Sequence, residues 1–95
     1  MPKGDVRLRA PGGGMNRIGP RVKERRRLLR LNQDDLCARL SDVTGGGWEA
    51  RRHEVAALEL AERMVSTEEL VALGQALECD PCWLLTGQGP GEQRG

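Results

Sequence analysis

Residues 48–63 read WEARRHEVAALELAER, and the architecture of the chain turns on them. The stretch is basic at Arg51, Arg52 and His53 and acidic at Glu54, Glu59 and Glu62. On a helix over about 51–60, Val55 and Leu58 make an inner stripe with Glu59 beside it. His53, Ala56 and Ala57 then lie opposite, flanked by Arg52. The outer face is positive at its start and small in its middle, so it can approach a partner closely. By themselves the charges leave two readings: a helix that reads a polyanion, or a solvated charged helix start.

The surrounding chain sets bounds on both. It has 95 residues, 38% hydrophobic and 31% charged, with no Phe or Tyr and two Trp. One small soluble domain follows, with a thin core of Leu, Val, Ile, Ala and Cys. A net charge of +1 is not that of a strongly basic nucleic-acid binder, so any such role needs a local patch. No stretch is apolar over the roughly 20 residues needed to cross a bilayer, and the N-terminus lacks a signal-peptide core. Three Cys without a secretion signal point to reduced thiols and a cytoplasmic location.

Composition divides the chain into three. Residues 1–15 carry Pro2, Gly4, Pro11 and Gly12-Gly13-Gly14, with basic Lys3, Arg7 and Arg9, and are expected to be a disordered arm. Met15 is an alternative start. Residues 88–95 are expected to be a flexible tail, leaving 16–87 to fold. That part reads as five short helices and no strand. The first, over about 20–29, places Ile18, Val22, Arg26 and Leu29 on one stripe, so Arg26 is in phase with the buried face. A guanidinium there needs a partner, unless it snorkels to solvent. Asn32 with Asp35 makes a capping box for the second helix, whose apolar face is Leu36, Cys37, Leu40 and Val43. Ser66 with Glu69 does the same for the fourth, with Leu70, Leu73, Ala76 and Leu77 apolar. Asp80 followed by Pro81 opens a short fifth helix with Trp83, Leu84 and Leu85.

RVKERRRLLRLNQDDLCARL (residues 21–40) and STEELVALGQALECDPCWLLTG (residues 66–87) resemble the lambda-repressor-like, or XRE-type, helix-turn-helix family. The resemblance rests on Asn32-Gln33 opening the second helix, Leu58-Glu59 closing the third, and Trp83-Leu84-Leu85 closing the domain. It spans about residues 17–87 and implies an all-α, five-helix DNA-binding domain. It further implies an ion pair between Arg26 and Glu59, major-groove reading by Arg51, Arg52 and His53, and a phosphate contact at Gln33. Asn32 and Arg63 are expected at phosphates nearby, and Arg52 is the best placed for a guanine edge. Ala57 falls where only a thymine methyl can be touched. Two departures stand out. The connection SDVTGGGWEA is longer than the family's tight turn, with Trp48 expected to staple the third helix. Ala61 and Glu78 stand where many members carry a helix-ending Gly, at positions that need a positive φ.

The remaining signals point to structure. Cys79-Asp80-Pro81-Cys82 is a C-x-x-C without a second pair, so Cys37, Cys79 and Cys82 read as packing residues and no metal is expected. No catalytic constellation is visible, and neither an enzyme nor a cofactor is expected. The function implied is a sequence-specific transcriptional regulator, most naturally a repressor, that binds double-stranded DNA as a homodimer. Its dimer surface is expected near the fifth helix. No ligand-sensing segment or small-molecule ligand is evident. The rival is a helix-turn-helix fold kept for protein interaction, with DNA binding weak or lost, as Glu54 and Glu62 suggest.

Overall fold

The computed structural model describes residues 8–89. Among them are five α-helices and no strand: α1 (Gly19–Leu28), α2 (Gln33–Val43), α3 (Arg52–Glu59), α4 (Thr67–Ala76) and α5 (Pro81–Thr86). Three helices start as their caps dictate. Asn32 Oδ1 accepts from Asp35 N at 2.7 Å while Asp35 Oδ2 accepts from Asn32 N at 2.9 Å. Ser66 and Glu69 reciprocate in the same way. Asp80 Oδ1 takes the N–H of Cys82 at 2.8 Å, with Pro81 at the position where a missing N–H costs nothing.

The helix ends share one device. After α1, α2, α3 and α4 the next-but-one residue is left-handed: Arg30 (φ 61), Gly45 (φ 60), Ala61 (φ 61) and Glu78 (φ 56). Each is followed by the paired backbone bonds of a Schellman turn, as in Ala61 N to Leu58 O at 3.0 Å and Glu62 N to Ala57 O at 2.8 Å. Ala61 and Glu78 thus adopt the conformation their positions demand, despite carrying a Cβ, and Arg30 joins them.

The core is aliphatic throughout. Val22, Leu36, Leu40, Val55, Leu58, Leu73, Leu77, Cys79 and Leu84 are its largest fully buried side chains. α2 packs on α3 and α4, α1 on α3, and α5 closes against α4. Val43 lies outside this core, 38% exposed at the end of α2, and Cys37 is half-buried. Just before the start of α3, Ala50 is buried and Trp48 is half-buried and packed against the core. Gly19 lets α1 cross the end of α3 closely: a Cβ there would lie 2.4 Å from Leu58 O and 2.7 Å from Glu59 O. Asn16 fastens the same crossing. Its Oδ1 accepts from Ile18 N and Gly19 N, and its Nδ2 donates to Leu58 O and Arg63 O.

The arginines of α1 divide by face. Arg25, which sequence periodicity left unassigned, is buried and donates to Leu77 O at 2.8 Å and Glu78 O at 3.1 Å. Arg39 of α2 reaches the same end of α4, at Ala76 O and the Glu78 carboxylate. Arg21 donates to Leu84 O at 2.9 Å near the end of α5. Helix C-termini carry partial negative charge and unpaired carbonyls, which these guanidinium groups satisfy. Lys23, Arg27 and Arg30 remain on the exposed side.

The segment expected to be unstructured has backbone bonds at its near end. Gly13 N donates to Ala10 O at 2.9 Å, and Met15 N donates to Ala61 O at 2.8 Å. Residues 1–7 and 90–95, where disorder was also expected, lie outside the described residues.

Candidate nucleic-acid interface

The first turn of α3 carries the sequence-derived reading residues, and all three are exposed. Arg51 precedes the helix with extended backbone (φ −102, ψ 158), and Arg52 and His53 are its first two residues. Glu54, whose charge the sequence left without a role, turns back and accepts from Arg51 N at 2.9 Å. Its carboxylate caps the helix start from the first turn, where a negative charge suits the helix dipole, while Glu54 N donates to the backbone carbonyl of Arg51 at 2.9 Å, since a guanidinium has no acceptor to offer. The signal was the three-residue spacing, hidden because Arg51 is not a usual capping residue.

Buried charge holds the other end of α3 in place. Arg26 Nε meets Glu59 Oε2 at 2.6 Å, and Arg26 Nη2 meets Oε1 at 3.0 Å. The two side chains are 10% and 3% exposed. Arg26 also donates through Nη1 to Leu31 O at 2.8 Å, and Gln33 Nε2 donates to Glu59 Oε1 at 3.2 Å. The hydrogen bond to Glu59 raises the Arg26 pKa above its usual value; burial opposes this and the Glu59 charge adds to it. One carboxylate therefore ties together the end of α1, the start of α2 and the end of α3. Gln33 faces this network as well as the exposed start of α2. Asn32 has its Oδ1 committed to the cap, which leaves its amide N–H groups as the donors for an outside acceptor.

A second link joins the exposed ends. Arg52 Nη2 donates to Asp34 Oδ2 at 2.9 Å. The charges here surround Cys37, whose pKa is raised by burial first and then by Asp34 and Glu54, with Arg52 opposing.

Arg63 is placed differently from the other expected contacts. It makes a two-pronged bond to Glu69, at 3.1 and 3.3 Å, and lies over the Trp48 ring at 5.9 Å from its centroid. Its guanidinium is engaged by Glu69 and Trp48, and its side chain is 27% exposed against 66% for Arg52. The connection between α2 and α3, residues 44–51, passes beneath it through Trp48, whose backbone N–H donates to Thr44 Oγ1 at 2.9 Å.

The cysteines do not assemble. Cys79 is buried, Cys82 exposed and Cys37 half-buried. Among the described residues no three His, Cys, Asp or Glu side chains come together as a metal site, and no helix is long and apolar enough to cross a membrane. The chain matches no protein-family model, and neither a curated protein nor a solved structure matches it.

Proposed function

We propose that this five-helix domain is a lambda-repressor-like helix-turn-helix module that binds double-stranded DNA and regulates transcription, most naturally as a repressor. The observation that carries the reading is the exposed cluster of Arg51, Arg52 and His53 at the start of α3, set beside the start of α2. An α-helix with its side chains is about 10–12 Å across, which the roughly 12 Å wide major groove admits. Arg52 has the donor geometry for the two acceptors on guanine, and His53 and Arg51 flank it. Asn32 and Gln33 would meet phosphates from the start of α2, and exposed Arg27 and Arg30 add positive charge at the neighbouring end of α1. Arg63 is left out of the DNA-contacting set because Glu69 and Trp48 engage it.

One α3 reads only a few base pairs, so the proposal includes a homodimer on two half-sites about one helical turn apart. Its surface is proposed on α5, where Trp83 and Leu85 are only half-buried. The rival use, protein interaction on the same fold, is favoured by one feature: Asp34 partly neutralises the foremost reading residue.

The test is selection from a random duplex library at fixed near-physiological salt, with Arg52→Ala in parallel. The expected result is an enriched, near-palindromic motif that blurs in the variant. No enrichment by a folded, helical sample refutes the proposal and favours the rival. Affinity should also fall steeply with salt, by a slope near −0.9 for each phosphate neutralised.

A further inference from the structure

Asp34 and Arg52 stand in the first turns of α2 and α3 and meet at 2.9 Å. Their side chains stay 62% and 66% exposed, so the pair adds little to folding. Nor is it needed to hold the two helices together, because Glu59 already links Gln33 to Arg26 behind them. What the bridge does fix is the guanidinium of Arg52. One of its five N–H donors is taken, and four remain for another acceptor.

Resting on the DNA-reading function above, we propose that Asp34 is a specificity-determining positioning residue, which holds Arg52 for a base edge and opposes its use on a bare phosphate. The two acceptors differ in charge. A phosphate is anionic, is repelled by Asp34, and competes with it for the same cation. A guanine edge carries no net charge and offers two acceptors, so it can bind the remaining N–H groups while Asp34 keeps its own. The carboxylate therefore penalises the sequence-independent contact and spares the sequence-dependent one. Asp34 and Glu54 both bring carboxylate charge to this part of the face, beside Arg52 and Cys37.

The experiment measures binding of the full chain to its selected duplex and to a scrambled duplex across a salt series. Wild type, Asp34→Asn, Arg52→Ala and the double variant are compared. Asn is nearly isosteric and the site is exposed, so all four should fold, as checked by helical circular dichroism. Asp34→Asn is expected to bind scrambled DNA up to about fivefold more tightly, roughly 1 kcal/mol. Its salt slope should steepen by about 0.9. Base preference should relax only at the position that Arg52→Ala also blurs, and in the Arg52→Ala background Asp34→Asn should change no preference. The positioning role is overturned if Asp34→Asn leaves every base preference intact, or relaxes it equally without Arg52. If wild type enriches no sequence at all, the DNA-reading function fails and this inference fails with it. A wild-type motif that Arg52→Ala blurs and Asp34→Asn does not touch sinks the positioning role alone.

Discussion

Glu59→Ala is the most informative single perturbation of the fold. The carboxylate accepts two bonds from Arg26, at 2.6 and 3.0 Å, and one from Gln33 at 3.2 Å. Removing it leaves Arg26 with Leu31 O as its remaining partner, in a site where its side chain is 10% exposed. Breaking one half of a buried pair typically costs about 3–5 kcal/mol, because the surviving charge is left uncompensated. At roughly 0.05–0.15 kcal/mol per residue, about 70 folded residues have a total stability of roughly 4–10 kcal/mol. The substitution therefore removes a large share of it, and Tm should fall by at least about 12 °C at roughly 4–8 °C per kcal/mol. Urea denaturation followed by circular dichroism gives the free energy. The Arg26→Met/Glu59→Leu double variant supplies the control, since removing both charges together should recover most of the loss. A Glu59→Ala cost under about 1 kcal/mol, or a double variant no more stable than the single, would refute the account of a tightly paired, water-screened ion pair.

Three further outcomes follow from particular contacts. Gly19→Ala places a Cβ against the backbone carbonyls of Leu58 and Glu59, neither of which can rotate away; a loss of about 1–3 kcal/mol is expected by thermal melting, and no loss would mean that the α1–α3 crossing is looser than it stands. Ala61→Gly should raise stability by about 1 kcal/mol, because the left-handed φ of 61 costs a side chain with a Cβ and not a glycine; a fall in Tm would count against it. Burial pushes the Cys79 thiol up to about 11 from its ordinary 9.0, with Arg25 lowering and Asp80 raising it. The folded state thus holds a proton that the unfolded state has released across that window, so stability should fall as pH rises through it, by at most roughly 2–3 kcal/mol. With no Tyr in the chain the effect should be visible in melts at successive alkaline pH values; an equally steep decline in Cys79→Ala would assign it elsewhere.

The parts legible in the sequence were those governed by neighbours within one turn or by helical phase. Asn32 with Asp35, Ser66 with Glu69, and Asp80 before Pro81 mark helix starts because a cap acts over two or three residues. Periodicity put Val55, Leu58, Leu73 and Leu77 inside and Arg26 among them, and the family resemblance supplied Glu59 as its partner. Phase on α3 placed His53 on an outward face with Arg52 flanking it, and the family resemblance added Arg51, which stands just before the helix.

What the tertiary structure decided were interactions whose partners carry no side-chain signature or lie far away in sequence. Arg25 sits next to Arg26, yet its acceptors are backbone carbonyls of Leu77 and Glu78, and every residue type offers a carbonyl. Arg63 was expected at a phosphate, and only the loop after α3 brings it to Glu69 and Trp48. Asp34 and Arg52 each fit the start of a solvated helix, and only the packing of α2 on α3 brings one within 2.9 Å of the other. Local chemistry determined where this chain becomes helical and which faces are apolar. The three-dimensional packing determined which of its many arginines hold the protein together and which remain exposed to meet a partner, because a charge pairs by distance in space and not by distance along the chain.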